Sequence, residues 1–231
     1  MIEDKLGAKL GWLIPALTIG LSTLVHLLSG DYRAFPFFIS EADYPGLQRV
    51  IFTSGFVVAG IVLIYVSWRL FWLNRKRGRW YWMHLSMLCG TFVGANLAIM
   101  AFMDMYDHIE LHVLTALNVF HFSLAWGVVT HLGMKNGNQR GKNLRYLSIT
   151  LGFIAFIRKP YAMGLADKAH PAFLDTDDLN LIQPWINVAA PMEYLLAISF
   201  MLTLGSFLSL IHISEPTRLR RISYAVFCVK K

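Results

Sequence analysis

Two histidines spaced four apart, His108 and His112, and two carboxylates in apolar surroundings, Glu41 and Glu193, are the residues of this chain with the clearest chemical potential. On a helix an i, i+4 pair of imidazoles shares one face, as many metal sites require. Two ligands do not close a coordination sphere, so no metal and no cofactor is assigned. Glu193 lies eight residues into an apolar run, about 12 Å from its start at 1.5 Å per residue. A carboxylate at that depth must protonate or find a cation. Arg158 and Lys159 lie at the matching level, and a Glu193–Arg158 pair is expected. The chain has no Walker loop, no Gly-rich dinucleotide fingerprint and no Ser nucleophile elbow, so catalysis is not the first reading.

The elements that must position these groups are read from hydropathy. Hydrophobic residues make up 56% of the 231 positions and charged residues only 15%, an excess that a soluble core cannot absorb. A helix needs about 20 mainly apolar residues to cross a hydrocarbon layer roughly 30 Å thick. Runs approaching that length predict spans over 10–28, 50–73, 81–103, 112–132, 144–157 and 185–211. The fifth is short and works only by local thinning or by extension past Arg158 and Lys159, whose stems can snorkel. The expected fold is all-α: a polytopic membrane protein, an up-and-down bundle of six transmembrane helices.

Lys and Arg set the orientation. The amino-terminal tail and the loops after the second and fourth spans carry ten of them, and the opposite loops five, which places both termini on the cytoplasmic side. The net charge of +7 therefore belongs to topology and anionic headgroups, not to nucleic acid. Alternating helix directions then bring His26, Asp31, Ser40, Glu41, Asp104, Asp107, His108, His112, Arg158, Lys159 and Glu193 to the outer end. Interfacial solvation is expected for His26, Asp31, Asp104 and Asp107, and a polar groove holding a lipid head or amphipathic ligand is the functional alternative. The amino-terminal run reads as a retained span: it exceeds a signal peptide's apolar stretch and no small-x-small cleavage site follows.

Deeper in the spans, Asn96, Asn118 and His121 are expected to hydrogen-bond between helices, and Gly90 and Gly94 to admit a close neighbour. Cys89 and Cys228 build neither a disulfide framework nor a metal knuckle. No internal repeat or broken midplane helix argues for a carrier, which stays as a third reading.

The first outer loop reads Phe35-Pro36-Phe37-Phe38-Ile39-Ser40-Glu41, followed by Pro45. So apolar a loop should dip into the interface, with Ser40 capping the turn and Glu41 either bonding back to loop amides or touching a ligand. This Phe-Pro-x-x-Ile-Ser-Glu run resembles the aromatic-Pro and Ile-Ser-acid motif of the Frag/DRAM/Sfk family of six-span membrane proteins. His112 at the opening of the fourth span and the Glu193-Tyr194 pair in the sixth resemble that family's motifs as well, so the resemblance covers roughly residues 10–210. It implies a lipid-linked role: autophagy modulation, lipid-associated signalling or remodelling of GPI-anchor lipid, with membrane lipids and other membrane proteins as partners. The Ser22-x-x-x-His26 element resembles intramembrane zinc hydrolases, but the paired histidines those carry in their last span are missing here.

Residues 212–231 break abruptly from the span pattern and resemble translated adapter sequence, so no function is assigned to them. The reading that follows is an integral membrane protein modulating membrane lipid organisation or lipid-linked signalling without catalysis. An enzyme or enzyme subunit of lipid remodelling, centred on His108, His112 and Glu41, is the alternative. The sequence assigns no compartment and no oligomeric state.

Overall fold

The computed structural model describes residues 2–134, 138–171 and 178–212. The suspect tail after His212 lies outside the described residues. Among these residues six α-helices follow one another: α1 Ile2–Ser29, α2 Leu47–Asn74, α3 Trp80–Met100, α4 Ile109–Gly133, α5 Gln139–Ala169 and α6 Gln183–His212. Short 3₁₀ turns, Ile39–Ala42 and Leu179–Ile182, interrupt the long connections before α2 and α6. Among the described residues there is no strand.

Among the described residues five helices are long and apolar enough to cross a membrane: α1 from Lys5, α2, α3, α4, and α6 together with the 3₁₀ turn before it. The fifth expected span differs most from its prediction. Instead of stopping at residue 157, α5 runs through Arg158, Lys159 and Pro160 to Ala169. Pro160 removes one backbone donor and crowds the preceding turn, and the helix continues past it because Ala162 and Ala166 pack into the core shared with α6. The charges do keep α5 outside the set of span-capable helices.

Neighbours in sequence pack against each other from α1 to α4, α5 pairs closely with α6, and α6 returns to α1. The main core lies among α2, α3, α4 and α6, around Phe52, Leu63, Met83, Val93, Trp126 and Phe207. Several of its polar groups are paired across helices. Trp126 Nε1 donates to Ser86 Oγ at 3.1 Å, and Asn118 Nδ2 on α4 donates to Asn96 Oδ1 on α3 at 3.0 Å. His121 instead pairs with its own helix, at the Leu117 carbonyl, and sets its ring edge-on to Phe156 of α5.

The Gly-x-x-x-Gly spacing acts inside the chain. A Cβ on Gly94 would stand 2.5 Å from the carbonyl oxygen of Gly60 on α2, and one on Gly90 would meet Trp126 and Ser67 at 2.5–2.6 Å. Hydrogen atoms at these positions let α2, α3 and α4 approach backbone to side chain. A smaller core between α5 and α6 joins Ala162, Ala166, Ile182, Ile186 and Ala189 to Phe38 from the first loop.

Candidate functional site

The connections before α2, before α4 and before α6 meet at one end of the bundle. Gln183 Nε2 donates to the Pro36 carbonyl at 3.0 Å, Arg33 Nη1 donates to Asn180 Oδ1 and Gln183 Oε1, and the Tyr106 hydroxyl donates to the Glu41 carbonyl at 2.9 Å. At the opposite end the Arg79 amide donates to the Gly133 carbonyl, tying the α2–α3 and α4–α5 connections together. Below, these are the loop end and the basic end.

Glu41 is the third residue of the 3₁₀ turn and only 4% exposed. Its Oε1 accepts the Phe38 amide at 2.9 Å, the backward reach of a capping-box acid, and both oxygens receive the Arg33 guanidinium at 3.2 Å. Burial pushes its carboxyl upward, opposed by the Phe38 amide and by Arg33. Glu41, not Ser40, therefore caps this turn. The Ser40 hydroxyl makes no cap, and only its carbonyl serves, accepting from the Asp43 amide. The Phe35–Pro36 bond is cis.

Glu193 also turns toward this loop. Its Oε1 accepts the Ile39 amide at 3.0 Å, and its Oε2 is ion-paired to Lys159. The expected partner was Arg158, and the structure corrects it by one residue. Lys159 shares a helical face with the buried Ala155, Ala162 and Ala166, whereas Arg158, one step of 100° away, points to the exterior. Lys159 Nζ lies over the rings of Phe38 at 5.2 Å and Phe120 at 5.4 Å, so aromatic faces and one carboxylate share the cation.

The two candidate histidines part company. His112 is 3% exposed, and its Nδ1 lies 2.5 Å from the Met103 carbonyl, which it holds across the α3–α4 turn. His108 is the exposed residue that precedes α4 at its N-cap. The i, i+4 spacing fails as a shared face because His108 has already left the helix. Among the described residues no group of three His, Cys, Asp or Glu side chains is placed to hold a metal ion.

A second polar group flanks the first. Asp43 is fully buried, and neither carboxylate oxygen has a hydrogen-bond donor among the described residues. Arg49 Nε stands 3.7 Å from Asp43 Oδ1 while donating to the Asp43 carbonyl, and Arg49 Nη1 stands 3.7 Å from Asp104 Oδ2. Burial pushes the Asp43 carboxyl up to about 7, against the pull of Arg49 and with the help of Asp104. Burial would raise Asp104 too, but the Asp107 and Tyr106 amides and the charges of Arg49 and His108 bring it below the usual carboxylate range. Burial also raises the Tyr106 phenol, which packs edge-on against Tyr44.

The other predicted positions are structural or peripheral. Ile39 is buried in the main core, Tyr194 packs against it, and Pro45 is exposed beside Gln48. Asp31 and Asp107 are exposed as expected. His26 departs from that expectation: it is 1% exposed, with its ring 5.1 Å from Phe37. Phe35 stays outside, 72% exposed. Next to Arg49 an open groove of about 570 Å³ runs along α2, lined by Val50, Thr53, Ser54, Val57, Val58 and Phe102.

Sequence reasoning missed Arg33, Asp43, Tyr106 and Gln183 as members of this network. Arg33 and Glu41 are eight residues apart in irregular chain, where no periodicity predicts contact. Gln183 meets Pro36 only because α6 folds back on the loop.

Comparisons with family models, with curated proteins and with solved structures find no match to this chain.

Proposed function

We propose that the chain is a multi-pass integral membrane protein, with α5 as a sixth span, that modulates membrane lipid organisation or lipid-linked signalling through its loop end and without chemical turnover. The observation that carries this reading is the use of the two motif carboxylates. Glu41 and Glu193 are each bound to a loop amide and to a cation, so they hold the loop rather than face an open pocket. Pinned this way, the loop presents Tyr32 and Phe35 outward, and Leu47 is exposed on the first turn of α2, the helix along which the apolar groove runs. Exposed aromatic and aliphatic groups at such a level favour the headgroup and acyl-chain boundary. The resemblance of this loop, His112 and Glu193-Tyr194 to the Frag/DRAM/Sfk pattern supports the same lipid-linked role and membrane-protein partners. The positive-inside bias supports cytoplasmic termini.

Native mass spectrometry of the detergent-purified protein tests this. A selectively retained lipid is expected, with retention reduced several-fold by Phe35→Ser and Leu47→Ser while thermal stability is unchanged, because both side chains are exposed. A stoichiometric metal lost on His112→Ala, or conversion of the retained lipid, would overturn the reading in favour of an enzyme.

A further inference from the structure

Arg145 is among the largest fully buried side chains of the described residues. Among those residues its Nε has no hydrogen-bond partner, and its Nη1 reaches Ser206 Oγ at a long 3.4 Å. None of the ion pairs among the described residues includes it. A guanidinium stays protonated under all ordinary conditions, so burial without an anion is a strongly unfavourable state.

The surrounding helices cannot supply that anion. The only acidic residues of α4, α5 and α6 are Glu110, Asp167 and Glu193, and all three lie toward the loop end. Arg145 is six residues inside the start of α5, about 9 Å from the basic end. A second unanswered nitrogen stands nearby. His131, on the last turn of α4, packs against Tyr146 with ring centroids 4.5 Å apart and planes tilted by 57°, and its buried Nδ1 has no partner among the described residues. Tyr146 directly follows Arg145 on α5 and Lys142 lies one helical turn before it, so the ring contact brings His131 alongside the stretch of α5 that carries both cations. Cation, cation and free imidazole thus converge where α5 rests only lightly on α4, its close packing being with α6.

We propose that Arg145, His131 and Lys142 form a binding site for a phosphate-ester oxyanion that enters the α4–α5 seam at the basic end. The planar fork of Arg145 matches two oxygens of such a group, and Lys142 and the His131 ring supply further donors. At this level of a membrane the available tetrahedral oxyanion is the phosphate of a lipid headgroup or a free phosphate in the adjoining solution. The surrounding Arg75, Lys76, Arg77 and Arg79 would concentrate either one.

The test is thermal unfolding of the full chain in detergent, followed by tryptophan fluorescence. Phosphatidylcholine micelles alone are compared with micelles doped with phosphatidic acid and with inorganic phosphate at matched concentration. The wild type should unfold several degrees higher with phosphatidic acid. Arg145→Met should abolish that shift, and Arg145→Lys and His131→Phe should reduce it, while Arg77→Met should leave it intact. An equal shift from inorganic phosphate identifies the free anion as the source; a shift confined to phosphatidic acid identifies the headgroup. No shift in the wild type, or one undiminished in both Arg145→Lys and His131→Phe, overturns the site even if Arg145→Met does not fold. Loss of the shift in Arg77→Met also overturns it, because diffuse charge would then account for the binding.

Discussion

Which cation sits on Glu193 decides how the loop end is held. Lys159 is enclosed by Glu193, Phe38 and Phe120, whereas Arg158 faces outward, so the two adjacent positions differ sharply in expected cost. Glu193→Gln removes the charge that compensates Lys159 and weakens acceptance of the Ile39 amide. It should destabilise the protein by about 2–4 kcal/mol, below the roughly 3–5 kcal/mol of a fully buried pair because the Lys159 side chain keeps 21% of its surface exposed. Arg158→Met should change stability by no more than about 0.5 kcal/mol. Adding Lys159→Met to Glu193→Gln should recover part of the loss, as a double-mutant cycle in a chemical denaturation series would show. Equal effects of the Arg158 and Lys159 substitutions would return the pairing to the sequence-based expectation. That expectation came from depth alone, and depth cannot separate two consecutive residues. Only the helical face can, and the alanines at 155, 162 and 166 mark it once they are seen to be buried.

Helices were the most legible level of this protein. The runs beginning near residues 50, 81, 112 and 185 correspond to α2, α3, α4 and α6 within a few residues at each boundary, because apolar length and helix length coincide when a segment has one uniform environment. α5 escaped this logic. Its apolar run ends at residue 157, yet the helix continues for another dozen residues, held by Ala162 and Ala166 against α6 and by Phe38 beneath them. Hydropathy reports solvent preference, not whether a partner helix is present. Whether α5 crosses can be measured with single cysteines at Gln139 and His170, placed in a background lacking Cys89 and Cys228 and reconstituted in sealed vesicles. A crossing helix exposes the two thiols to membrane-impermeant reagent from opposite sides. Labelling from the same side would make α5 a peripheral or re-entrant helix and leave five spans.

The molecule as a whole is expected to lose stability as pH rises, through Asp43. Its folded carboxyl is pushed up to about 7 from a usual value of 3.8, so between those values the folded state holds a proton that the unfolded state has released. Stability then falls with rising pH across that window and is flat below it. Asp43→Asn should remove most of this slope and stabilise the protein at pH 7.5 by about 1–3 kcal/mol. Unfolding temperatures of both proteins from pH 4 to 8 check this, and parallel curves would mean that Asp43 does not titrate in the fold. The sequence by itself determined the all-α class, the helices able to cross a membrane and the asymmetry of basic loops, because each depends on the composition of a contiguous segment. The tertiary structure alone decided that Glu41 pairs with Arg33, that Lys159 and not Arg158 meets Glu193, and that Asp43 and Arg145 are buried with so little compensation. Those facts depend on which faces of distant segments meet, and charge, hydropathy and spacing along one chain do not encode that meeting locally.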